Sequence, residues 1–174
     1  MKRSLFIFGF LHDADVEWIA SIAQPRSFTA GEVMIREGEP SETLMVLTDG
    51  AADVAVGGRV LAEVTSGDVL GEVSLFDSRP PSATVTAVAP TTALCLPFET
   101  LRARLAADPE FASRLYFSLG ALLSQRLRET LGSEVEDSDG IDPAVIEHVA
   151  LAGRRLEVFR ARAAGVAGAP PSEG

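Results

Sequence analysis

Cysteine is nearly absent from this chain. Cys95 is the one thiol among 174 residues, set in the apolar run Ala93-Leu94-Cys95-Leu96. A single thiol excludes an intramolecular disulfide, a cysteine metal site and an iron–sulfur cluster. Its apolar neighbours read as a buried strand in a reducing, cytoplasmic setting. Histidine is scarce as well: His12 and His148 are the only two, and neither has ligand spacing to Asp, Glu or Cys, so no metal is expected. The serines have no His–Asp partner, there is no nucleophile elbow, and no lysine accompanies the Gly-rich turns as a phosphate loop requires. Neither catalysis nor a cofactor is expected.

Long apolar runs are missing too. Lys2-Arg3 is followed by an apolar run ending at Leu11, but the run is only about eight residues, with no small-residue cleavage site before His12-Asp13-Ala14-Asp15. No stretch approaches the roughly 18 apolar residues of a membrane span, so this segment is expected to pack onto the domain. Positive charge is in deficit, with 15 Lys and Arg against 25 Asp and Glu and a net charge of −10. Such a surface repels phosphate backbones. The one local basic cluster, Arg154, Arg155, Arg160 and Arg162, reads as the solvated face of a small helix, and no direct contact with nucleic acid or membrane is expected.

What is present is an ordinary globular composition, 47% apolar and 23% charged, long enough for one domain and a tail. Asp13 can cap a short helix carrying Val16, Trp18, Ile19 and Ile22, which Pro25 ends. From Phe28 to Leu96 the texture changes to short β-branched runs, broken by Gly31, Gly38, Gly50, Gly57-Gly58, Gly67 and Gly71. That rhythm predicts a barrel, roll or sandwich. Val54 to Leu61 reads as a tight hairpin, because Gly57-Gly58 accepts the positive φ of a primed turn. Phe98 to Ala106 predicts a short helix. Asp108-Pro109 then opens a long one, with Asp as N-cap and Pro at the first helical position. Its apolar stripe runs Phe111, Leu115, Leu119, Leu122, Leu123, Leu127 and Leu131, interrupted by Arg126, and is overlong for a cover on a small roll. The expected organisation is a domain over 1–131, an acidic linker over 132–142, a short amphipathic helix over 143–163 and a flexible tail over 164–174.

Two blocks carry a family resemblance. The segment Phe28-Thr-Ala-Gly31-Glu32-Val-Met-Ile35-Arg-Glu37-Gly38-Glu39, followed by Leu44-Met-Val-Leu47-Thr-Asp-Gly50, resembles the opening strands of cyclic-nucleotide-binding domains. Such domains occur in catabolite-activator transcription factors and protein kinase A regulatory subunits. Gly71-Glu72-Val73-Ser74-Leu75-Phe76 with Pro80-Pro81-Ser82-Ala83-Thr84-Val85 resembles the family's phosphate-binding cassette. The resemblance spans about Leu11 to Leu131. It implies an α+β fold: a β-roll (a double-stranded β-helix, jelly-roll-like) with an N-terminal helix and a C-terminal helix pair.

For the site, the resemblance implies a ligand cradle of Gly71, Glu72, Val73, Ser74, Ser82 and Ala83. Glu72 would meet the ribose 2′-hydroxyl, and the N-terminus of a one-turn helix would face the cyclic phosphate. The family's phosphate-gripping arginine falls where this chain has Pro81, which has neither charge nor N–H. Arg79, two residues earlier and so on the same face of a strand-like segment, is the nearby candidate to replace it, or else a solvated loop residue, while Ser118, Ser124 and Gln125 on the long helix are candidates for a purine edge. The implied function is a non-catalytic regulatory module binding cyclic AMP, cyclic GMP or a related small anion weakly and signalling through its C-terminal helices. The alternative is a ligand-free scaffold using the same fold. Either reading expects a homodimer or partner contact through the helix over 109–131.

Overall fold

A computed structural model describes residues 9–130 and residue 161. Helix α1 (Asp13–Ile22) precedes six strands, β1 (Gln24–Phe28), β2 (Val33–Ile35), β3 (Thr43–Asp49), β4 (Ala51–Val56), β5 (Arg59–Thr65) and β6 (Val69–Leu70). The short helix α2 (Glu72–Asp77) interrupts them, followed by β7 (Thr84–Ala87) and β8 (Thr91–Pro97). Helices α3 (Phe98–Ala107) and α4 (Pro109–Thr130) follow. The strands form two antiparallel four-stranded sheets, ordered β1-β8-β3-β6 and β2-β7-β4-β5. This is the α+β roll that the family resemblance implies, one of the barrel, roll or sandwich forms open to the glycine rhythm.

Burial on both faces explains why the centres of two of these strands, residues 44–47 and 93–96, are unbroken apolar runs. In β3, Leu44 and Val46 join α1, α3 and α4 in one core, while Met45 and Leu47 face the second core inside the roll. Strand β8 does the same, with Leu94 and Leu96 toward the helices and Ala93 and Cys95 toward the roll. The sheet therefore has no solvated face along its centre. Phe111, Leu115, Leu119 and Leu122 of α4 are buried against it, each worth about 1.5–3 kcal/mol relative to exposure. Of the remaining stripe, Leu127 is exposed.

Local signals mostly hold where the backbone chemistry is specific. Gly57 and Gly58, at φ +55° and +83°, form the two-residue turn between β4 and β5. Asp108 Oδ1 accepts the Phe111 N–H at 3.0 Å, the N-cap predicted ahead of Pro109. The start of α1 differs from expectation. His12, not Asp13, is its N-cap, and the carboxylate that reaches back is Asp15, accepting the His12 N–H at 2.8 Å. The acid three residues into the helix is better placed for that reach than the first residue is. Sheet structure also begins earlier than Phe28, because Pro25 lies within β1 opposite Leu94. As β1 is an edge strand, its missing N–H disrupts no ladder. The linker, second helix and tail expected over 132–174 fall outside the described residues except for residue 161, as does the start of the N-terminal apolar run. Among the described residues, no helix is long and apolar enough to cross a membrane.

One ion pair ties the first helix to the last. Asp15 is 2% exposed, and Arg114 of α4 donates to it twice, from Nε at 2.7 Å and Nη2 at 3.0 Å. Burial pushes the Asp15 carboxyl upward, but the Arg114 hydrogen bond, the His12 N–H and the Arg114 charge together hold it below its usual value. A carboxyl lowered on folding stabilises the fold above its unfolded pKa of about 3.9, and that stabilisation is lost as pH falls through the folded value. Asp15→Asn should therefore cost about 2–3 kcal/mol at neutral pH, and flatten the acid limb of the thermal-unfolding midpoint below about pH 4. Parallel acid limbs for the two proteins would refute this role for Asp15.

Candidate functional site

The roll forms a partly open cavity of about 450 Å³, within the roughly 300–1,000 Å³ usual for small-molecule sites. Its walls are apolar on the strand side, with Ile35, Val54, Leu61, Val64 and Val85. Its polar rim comes from α2 and the segment after it.

Gly71 makes that rim. It takes φ +85°, and a Cβ there would lie 2.7 Å from the Thr43 carbonyl oxygen. Only glycine accepts both the left-handed backbone and that approach. The turn delivers Glu72 and Ser74 into α2 with 5% exposure each, while Val73 faces outward at 48%. Gly71, Glu72, Val73, Ser74, Ser82 and Ala83 all line the one cavity, and so does Pro81. The Pro81 carbonyl accepts the Gly38 N–H at 2.9 Å, which fixes the position where the resemblance expects a cation.

Glu72 has a positive partner that the sequence did not suggest. Arg126, from the last turns of α4, donates from Nη1 to Glu72 Oε1 and from Nη2 to the Val69 carbonyl at the end of β6. It is the one basic residue among those lining the cavity. Its sequence signal was modest but real: a lone arginine interrupting the apolar stripe of a helix that packs on the roll.

Arg79 lies elsewhere. It lines a separate, smaller recess together with Arg102. The expectation that it could turn inward rested on strand alternation between residues 79 and 81. Residues 78–83 form no strand, and Ser78 at φ +57° turns the chain immediately before Arg79. Ser118 is fully buried and donates to the Arg114 carbonyl at 2.8 Å, while Ser124 and Gln125 do not line the cavity. Burial pushes the Cys95 thiol up, keeping it protonated. Among the described residues, no group of His, Cys, Asp and Glu is arranged to hold a metal ion.

Comparison with known proteins places this geometry. Residues 25–108 match the family model of the cyclic nucleotide-binding domain. A CRP-like cAMP-activated global transcriptional regulator of Mycobacterium tuberculosis is 28% identical over 129 residues, covering 71% of this chain and 56% of that protein. A cAMP-dependent protein kinase regulatory subunit of Mycosarcoma maydis is 29% identical over 133 residues, covering 74% of this chain and 24% of that one. The crystal structure of a cyclic nucleotide-binding domain from Methylobacillus flagellatus superposes with a TM-score of 0.67 at 24% identity, covering 78% of this chain and 84% of that one. The chain spans between 8% and 56% of the length of the first curated relatives it matches. Residues 25–108 thus carry the match to the cyclic nucleotide-binding domain family.

Proposed function

We propose that this chain is a non-catalytic regulatory module whose cavity takes cyclic AMP, cyclic GMP or a related small anion weakly and passes occupancy to its C-terminal helices. The observation that carries this reading is Arg126. It stands on α4 yet ends inside the cavity, paired with the carboxylate that the family resemblance assigns to the ribose. A ligand hydroxyl arriving at Glu72, or an anionic phosphate arriving at Arg126, has to compete with that pair. Occupancy and the position of α4 are then linked, and the ligand shifts the helix by its differential affinity for the two arrangements. Relatives named as cAMP-activated and cAMP-dependent support the choice of ligand class.

Weak affinity follows from the charges. Pro81 supplies no cation, and the Arg126 guanidinium is already engaged by Glu72. A charge-assisted hydrogen bond contributes about 1.5–3 kcal/mol, so a cassette lacking one binds roughly tenfold to over a hundredfold less tightly. Calorimetric titration should find cyclic AMP or cyclic GMP binding in the high-micromolar to millimolar range. Pro81→Arg should tighten it by at least about tenfold, and Glu72→Ala should weaken it clearly. Absence of binding at millimolar nucleotide, together with no gain from Pro81→Arg, would overturn the sensor reading.

A second reading, a ligand-free scaffold, has its own supporting observation. The cavity balances its one carboxylate with its one guanidinium unaided, while α4 exposes Tyr116, Phe117 and Leu127. This reading expects the chain to serve through contact along α4, with a second copy or a partner. Light scattering should then give a dimer, and Leu127→Glu should return it to the monomer. A monomer throughout the micromolar range would count against self-association along this helix.

A further inference from the structure

The recess that holds Arg79 has a volume of about 110 Å³ and lies between Pro40 and Pro80. Ser41, Ser78 and Arg102 line it with Arg79, and Ser74 is common to this recess and the main cavity. No carboxylate lines it, although acidic residues outnumber basic ones 25 to 15 in the chain.

Arg36, Arg104, Arg114 and Arg126 each pair with a carboxylate. Its two arginines are among four, with Arg26 and Arg59, for which no carboxylate pairing appears among the described residues, and they are the two that line a recess together. Arg102 is nevertheless held in place: Nη2 donates to the Ser74 carbonyl at 3.2 Å and to Ser78 Oγ at 3.1 Å. Its guanidinium also sits 5.3 Å from the Phe98 ring centroid. Ser78 is the one residue other than glycine with positive φ among the described residues. At that helix C-cap a glycine would be free of strain, whereas serine keeps a hydroxyl at the recess. The following N–H, of Arg79, is fixed by Asp77 Oδ1 at 3.0 Å, and Asp77 itself stands outside the lining.

We infer that this recess is a second ligand site, taking a small tetrahedral dianion of the phosphate class between the Arg79 and Arg102 guanidinium groups, with the Ser41 and Ser78 hydroxyls beside it. The planar guanidinium fork matches the oxygens of such an ion and gives up its hydration readily. A volume near 110 Å³ is well below the roughly 300 Å³ at which small-molecule sites begin, so a single oxyanion fits and a nucleoside does not. The site uses neither Glu72 nor Arg126 of the nucleotide reading, although Ser74 borders both cavities.

Inorganic phosphate titrated into the full chain at constant ionic strength and slightly alkaline pH tests this. Amide and arginine Nε–H resonances should shift saturably at Ser78, Arg79 and Arg102, with Glu72 and Ser82 unmoved. Arg79→Gln, which leaves the Arg102 contacts to α2 intact, should weaken phosphate binding roughly three- to tenfold. Arg102→Gln should do the same, while Arg59→Gln on the β4–β5 hairpin should leave it unchanged. Shifts that grow linearly without saturation, that chloride reproduces, or that survive Arg79→Gln with unaltered affinity would overturn the proposal. So would shifts confined to the residues of the main cavity.

Discussion

Glu72 is a carboxylate with 5% of its surface exposed, and removing such a group from water costs several kcal/mol unless a positive partner meets it. In this chain the partner comes from 54 residues away, on the last helix. Arg126 supplies the charge, and its second Nη group takes the carbonyl that ends β6. The strand leading into the cassette, the cassette helix and the end of α4 are therefore held by one side chain. Twelve residues earlier on the same helix, Arg114 makes the corresponding connection to buried Asp15 of α1. Helix α4 is thus pinned by an ion pair near each end, with Phe111, Leu115, Leu119 and Leu122 buried along it. The apolar stripe supplies most of the adhesion, and the two arginines add a fixed polar contact toward each end.

That arrangement decides what the cavity can do. Its strand walls are apolar, and its one carboxylate and one guanidinium neutralise each other. An anionic ligand finds no surplus positive charge, and gains most by drawing Arg126 away from Glu72. A ligand rich in hydroxyls finds Glu72 as an acceptor, again at the expense of the pair. On the proposed reading, the site and the helix then respond together. Pro81 sharpens this dependence, because no fixed cation on the loop is available to hold an anion while leaving α4 undisturbed.

Much of the fold was legible because its signals are local. Gly57-Gly58 fixes a hairpin, Asp108-Pro109 fixes a helix start, and the unbroken apolar runs of β3 and β8 reflect burial on both faces. The cassette residues were legible for the same reason, since Gly71 is required by its own backbone and by the Thr43 carbonyl. What escaped depends on tertiary placement. No spacing rule brings residue 126 to residue 72, and an arginine within a leucine stripe reads equally well as a solvated edge. Arg79 lies outside the lining of the main cavity because strand alternation does not carry through a segment that Ser78, at φ +57°, turns aside. The α1 cap was missed by one residue because His12 is a weak capping type, with Asp15 supplying the hydrogen bond that defines it.

The central claim is that the cavity and the end of α4 share one ion pair, so that filling the first disturbs the second. Amide hydrogen exchange along residues 119–127, followed with and without millimolar cyclic AMP, tests this most directly. The account predicts a change in protection over those turns on binding, lost in Arg126→Gln, with the Arg114 end of the helix unaffected. Nucleotide binding with identical exchange along α4 would contradict it.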